Sequence, residues 1–190
     1  MLEDLKKINE LSSIENKNIF YEAVFKKEDI LKVFNELKDN ESYNFDQLID
    51  ITAIDYPSRE KRFKIIYILL SMRNNKRIIL NTSIDENESL DSITEIFKAS
   101  DWYERECYDL FGIKFNNHPD LRRIMTDYNF EGHPLRKDFP LTGHTEVRYD
   151  DVEKKVVYEP VKLTQEYRDF DYTSPWEGMP KGIDDQNEQE

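Results

Sequence analysis

The chain has 190 residues, 38% apolar and 13% aromatic, with 40 acidic against 27 basic side chains and a formal charge of −13. That length suits one ordinary domain, or a domain and an arm, with enough apolar material for a core. A polyacid repels phosphate backbones and anionic lipid, so nucleic acid and direct membrane-surface binding are not expected. The single cysteine, Cys107, excludes an internal disulfide and an iron–sulfur cluster held by four of the chain's own thiolates. The longest apolar run, Ile65 to Leu70, falls far short of the roughly 20 residues that cross a bilayer. The start, Met1-Leu2-Glu3-Asp4, lacks the basic stretch of a targeting signal. The expectation is a protein that reaches a membrane only through partners, without direct insertion.

In chain order, Ile19 to Phe25 reads as a strand and Glu28 to Leu37 as a helix, with Ile30, Leu31, Phe34 and Leu37 at helical spacing. Leu48 to Ile54, Phe63 to Leu70 and Ile78 to Ile84 read as three antiparallel strands, the last pair joined by the turn Arg73 to Lys76. Leu90 to Phe97 has helical spacing. Trp102 to Phe111 reads as a helix with a capping-box start at Asp101 and Glu104 and a left-handed stop at Gly112. Its face of Tyr103, Cys107, Leu110 and Phe111 also takes in Glu106, a carboxylate that needs a cation or donors if buried. The order β-α-β-β-β-α makes the fold class α+β, with helices packed on a mixed or antiparallel sheet.

All five glycines follow Phe111, and six of the seven prolines follow Asn117. This change of composition divides the expectation into an α+β domain at 1–112, an extended partner-binding arm at 113–182, and a disordered acidic tail at 183–190. Within the arm, Val147 to Tyr149 and Val156 to Tyr158 suggest a β-hairpin near 147–158. Ten aromatics in a segment with little periodicity suit a chain that buries itself on another subunit.

Several constellations resemble chemistry. His118, His133 and His144 are candidate metal ligands of a stand-alone metal-dependent enzyme, although none has the short spacing that helps pre-form a site. His118-Pro119-Asp120 resembles the cochaperone tripeptide, but the prolines that follow forbid the helix it needs. Glu104, Glu106 and Asp109 read as a charged helix face, with an Arg105 to Asp109 pair at i,i+4, rather than as an acid–base pair. No phosphate-binding loop, dinucleotide fingerprint or nucleophile beside a base is found. The basic stretches Leu121 to Ile124 and Leu135 to Leu141, interleaved with Asp120, Asp127, Glu131 and Asp138, have the composition of a protein interface.

Glu104-Arg105-Glu106, Asp109-Leu110-Phe111, His118 and Arg122-x-Ile124 stand at a spacing that resembles the signature of the C-subunit family of respiratory complex I, the NADH:quinone oxidoreductase. The run from Asn117 to Tyr128, Phe130 to Leu141, Glu146 to Asp151, Asp55 to Ser58 and Ser174 to Glu177 resembles that family as well. Asn129 stands where the family has glycine and is expected to take the positive φ in its place; Cys107 replaces a larger residue. The resemblance implies a structural or assembly subunit of the peripheral arm, touching subunits D and B, with FMN and iron–sulfur clusters on other subunits and none here. It implies no catalytic, cofactor-binding or metal residues of its own. The positions carried over as partner-binding are Glu104, Arg105, Glu106, Asp109, His118, Asp120, Arg122, Arg123, Arg136, Lys137, Asp138 and Trp176. Placement on the cytoplasmic side of a bacterial inner membrane is implied, or on the matrix side of a mitochondrial one. Related plastoquinone-reducing and hydrogenase complexes carry similar subunits.

Overall fold

The computed structural model describes residues 2–165, and contacts divide the chain into two units after Gly143. The first holds α1 (Leu2–Leu5), β1 (Leu11–Asn16), β2 (Phe20–Phe25), a 3-10 turn (Lys27–Asp29), α2 (Ile30–Asp39), β3 (Gln47–Asp55), β4 (Phe63–Ser71), β5 (Lys76–Ile84), β6 (Ser89–Asp91), α3 (Ser100–Phe111) and β7 (Lys114–Asn116). The class is α+β. Strands β3, β4 and β5 pair antiparallel as their patterns predict, with Ile51 opposite Tyr67 and Tyr67 opposite Leu80. Asn75 takes φ 48 in the turn between β4 and β5, a conformation asparagine tolerates.

The sheet order is β1-β2-β5-β4-β3, and β2 lies parallel to β5, so the sheet is mixed. A parallel neighbour requires a crossover, and α2 lies on the route between β2 and β3. Along β4, Phe63, Ile65, Tyr67 and Leu69 are buried while Ile66, Ile68 and Leu70 are half-buried, the period-two alternation of a pleated strand. Phe34 of α2 meets Tyr67 with ring centroids 4.9 Å apart and Phe25 at 5.9 Å, both edge to face, so helix and sheet share one core.

Three expectations fail here. Residues 90–97 do not form a helix: Leu90 belongs to β6, which pairs parallel with β7, and Ile93 to Phe97 make a single turn. The Ser92 hydroxyl captures the Thr94 amide at 3.2 Å, and the Ile93 amide goes to Glu104, so side chains take the donors a helix would need. Leu90, Ile93, Ile96 and Phe97 are buried all the same. The capping box at Asp101 is also absent, since α3 starts at Ser100 with no side-chain cap and Glu104 is spent on Ile93. Asn129 is not among the positive-φ residues.

The second unit holds β8 (Thr145–Asp150) and β9 (Lys155–Pro160), an antiparallel hairpin where one was expected. Val147 faces Tyr158 and Tyr149 faces Val156, so these four share one side of the ribbon with Thr145 and Pro160, each of the four more than half exposed. Residues 166–182 of the expected arm, with Trp176, and the expected tail at 183–190 lie outside the described residues.

Candidate functional site: a charged clamp on the 117–139 loop

The change of composition puts the end of the first domain at 112, whereas the first compact unit continues through Gly143. The reason lies in α3. Asp109 has no exposed surface, and its carboxylate collects five hydrogen bonds from one loop. Oδ2 accepts the backbone N–H groups of Ile124, Met125 and Thr126 at 3.0, 2.7 and 2.8 Å. Oδ1 accepts Arg123 Nη1 at 2.7 Å and the Thr126 hydroxyl at 2.6 Å. Burial works against the charge, but the Thr126 hydroxyl and amide, the Arg123 guanidinium and the Met125 amide outweigh it and hold the carboxyl well below the usual range.

The rest of α3 grips the same loop. Arg105 does not pair with Asp109 along the helix; its Nε and Nη2 donate to the carbonyls of Arg122 and Arg123 at 3.2 and 3.3 Å. Arg123 reaches on to the Gly132 carbonyl at 2.9 Å, and the Leu135 amide donates to the Leu110 carbonyl at 3.0 Å. His133 Nδ1 bonds the Asp109 carbonyl at 2.8 Å, and its ring lies on Gly112, whose φ of +82 ends the helix as expected.

Glu106 is half-buried, as its place on the apolar face suggested, and the fully buried carboxylates of α3 are Asp109 and Glu104. Glu104 Oε1 accepts the Ile93 amide at 2.8 Å. Burial pushes the carboxyl up to about 7, only partly offset by Ser92, the Ile93 amide and Ser100. Beside it, the buried His118 ring donates from Nε2 to the Asp101 carbonyl at 3.1 Å and accepts the Asp120 amide at Nδ1 at 3.1 Å.

A second clamp ties 136–138 to the sheet edge. Arg62 holds Asp55 bidentately at 2.7 and 2.9 Å and Asp138 at 2.9 Å, Arg136 holds Asp138 at 3.0 and 2.9 Å and also meets Glu86, and the Lys137 amide donates to Asp55 at 2.7 Å. Asp55 stands out in the sequence only within Asp55 to Ser58. Arg62 and Glu86 carry no local signal, because their partners lie up to tens of residues away in the chain.

Of the predicted partner-binding residues, Glu104, Arg105, Asp109, His118, Arg123 and Arg136 therefore turn their side chains into the chain's own fold. Asp120, Arg122 and Asp138 keep more than half of theirs exposed. Met125 and Tyr128 are exposed on the same loop at 64 and 85%, and Leu141 just after it at 80%. Among the described residues no group of three His, Cys, Asp or Glu side chains is placed to hold a metal ion. His118 and His133 are committed to backbone partners, and His144 lies in the second unit.

Fold and site together define an α+β module whose charged signature holds a long irregular loop in one conformation and leaves apolar and charged side chains outside. The model of the family described as respiratory-chain NADH dehydrogenase, 30 Kd subunit, matches residues 23–145. The chain is 57% identical to the NADH-quinone oxidoreductase C-subunit of Hyphomonas neptunium over 79% of this chain and 74% of that protein. It is 60% identical to the protein of the same name from Ruegeria pomeroyi, over 75% and 71%. A chain in the structure of the membrane-bound sulfane sulfur reductase, an archaeal respiratory membrane complex, shares the fold with a TM-score of 0.64 at 23% identity, over 73% of this chain and 82% of that one. The chain belongs to the respiratory-chain NADH dehydrogenase 30 kDa subunit family. It is thus a subunit of complex I, the NADH:quinone oxidoreductase.

Proposed function

We propose that this chain serves complex I as a structural and assembly subunit of the peripheral arm, with no redox centre or active site of its own, FMN and iron–sulfur clusters being held by other subunits. It seats on subunits D and B through its 113–182 arm, and it lies on the cytoplasmic side of a bacterial inner membrane. The observation that carries this reading is the Asp109 cage: five hydrogen bonds onto one buried carboxylate hold in place a loop that presents Asp120, Arg122, Met125 and Tyr128 outward. A loop ordered before it binds loses less conformational entropy on docking. In this reading Glu104, Arg105, Asp109, His118, Arg123 and Arg136 act through the loop, while Glu106, Asp120, Arg122, Lys137, Asp138 and Trp176 meet the partners. No described helix is long and apolar enough to cross a membrane, which fits attachment through partners.

The experiment exchanges the exposed pair, Asp120→Arg together with Arg122→Asp, in the host cell. Folding stability of the purified chain should stay within about 0.5 kcal/mol of wild type. Incorporation into the complex, followed by native electrophoresis with NADH–quinone activity of membranes, should fall several-fold. Full incorporation of the exchanged chain would overturn the reading.

A further inference from the structure

Strands β3, β4 and β5 alternate as pleated strands must, but their outward residues are not the polar ones that a water-facing sheet carries. Phe34 of α2 lies on Tyr67, and the Cys107 thiol of α3 donates to the Ile51 carbonyl at 3.4 Å, so the helices cover the face that Ile51 and Tyr67 share. The residues between these point the other way. There Ile66, Ile68 and Leu70 of β4, Ile79 of β5 and Ile54 of β3 are half-buried, and Val24 of β2 is 41% exposed.

Register sets carboxylates on both sides of this aliphatic strip. One row across the sheet runs Glu22, Ile79, Ile68, Asp50, and the next runs Val24, Asn81, Ile66, Thr52. Glu15 of β1 stands directly opposite Glu22, a like-charge pair that costs stability. Asn81 donates from Nδ2 to Glu22 Oε1 at 2.8 Å, while its Oδ1 is buried with no hydrogen-bond partner. The Glu22 side of the strip therefore holds more acceptors than donors. Lys17 pairs with Glu15 and only its field reaches Glu22; among the described residues neither Glu22 nor Asp50 has an ion pair. Lys64 and Arg77 stand at the ends of the strip, not along its sides.

We propose that this open face seats one amphipathic helix of another subunit of the complex, laid along β4 with an aliphatic stripe inward and Lys or Arg side chains on both flanks. Width selects a single helix. Glu22 and Asp50 lie three strand spacings apart, roughly 14 Å, against about 10–12 Å for a helix with its side chains, so one helix fills the strip and reaches both carboxylates. From Lys64 to Leu70 the strip runs roughly 20 Å, the length of about 13 helical residues. A helical layer is how the opposite face of the same sheet is already covered. Charge selects basic flanks: a cation over Glu22 stands beside two carboxylates and relieves their repulsion. A second copy of this chain is the poorer occupant, since two chains of charge −13 repel. The inference rests on membership of the complex and not on the docking loop, which α3 holds on the other side of the sheet.

The test places a photo-reactive phenylalanine analogue at Val24 or at Thr52, on either side of the strip, and illuminates the assembled complex purified from the host cell. Both positions should cross-link to one segment of another subunit, with aliphatic residues at helical spacing and Lys or Arg beside them. A cross-link to a second copy of this chain, a cross-link within the chain, or none at all overturns the proposal. The charge argument has its own readout in Glu22→Gln with Asp50→Asn, which keeps an acceptor for Asn81. Melting of the purified chain should stay level or rise, because the Glu15–Glu22 repulsion is gone, while the salt concentration that strips the chain from the complex should fall about twofold. An unchanged salt threshold, or a fall in melting that gives the two carboxylates an internal role, overturns the basic flanks. The exchange of Asp120 and Arg122 leaves this face untouched, so the two readings fail separately.

Discussion

The His133 imidazole lies against Gly112 so closely that a methyl group on that residue would stand 2.8 Å from two ring atoms. The contact joins the end of α3 to the loop it clamps, and it needs a left-handed residue with no side chain. Gly112→Ala meets both the positive φ and the ring, so we expect a loss of about 2 kcal/mol in denaturant unfolding. Adding His133→Ala should relieve the steric share and leave the backbone share, a non-additivity that a double-mutant cycle measures.

Asp109→Asn keeps the shape of the side chain but loses the charge that three amides and a guanidinium address. Removing one partner of a buried pair leaves Arg123 uncompensated, and the expected cost is about 3 kcal/mol. The pH dependence has a definite sign. The folded carboxyl lies well below its unfolded value, so its contribution is present above the unfolded value of about 4 and is lost as pH falls through the folded one. Wild-type stability should fall on acidification below about pH 4 more steeply than that of Asp109→Asn, as read in thermal melts against pH.

Glu104 has the opposite sign. Its folded carboxyl is raised from an ordinary 4.5 to about 7, so the stability it contributes is fully present below pH 4.5 and is lost as pH rises through 7. Between those limits the wild type should lose on the order of 3 kcal/mol relative to Glu104→Gln, whose stability should not show this slope. Urea unfolding at pH 5 and pH 8 compares the two.

The β8–β9 hairpin presents Val147, Tyr149, Val156 and Tyr158 on one face, and two strands alone are marginal in water. If that face docks on a partner, Tyr149→Ser with Tyr158→Ser should leave the melting of the first unit unchanged while lowering incorporation into the complex. Equal incorporation would argue against the hairpin as a docking element.

Period-two and helical spacing in β2 to β5, α2 and α3 were enough to set the class, because side-chain alternation is a local consequence of backbone geometry. The 90–97 segment shows where that reasoning stops. Its apolar spacing is helical and its apolar residues are buried, yet the Ser92 hydroxyl and the Glu104 carboxylate take the amides a helix would use. The first acceptor is local, whereas the second comes from α3, eleven residues on.

The Glu104-to-Leu141 motif block, the lone cysteine and the acidic balance were determined by sequence alone, and they carried the family. Which of those charges face inward was decided only by the tertiary structure. A carboxylate such as Asp109 reads identically as a solvated helix face and as the centre of a cage. The difference lies in donors fourteen to seventeen residues away, brought to it when the loop folds back on α3. Arg62, Asp55, Glu86 and Asp138 converge for the same reason: charge pairing acts through space, and chain order records it only where partners happen to be neighbours.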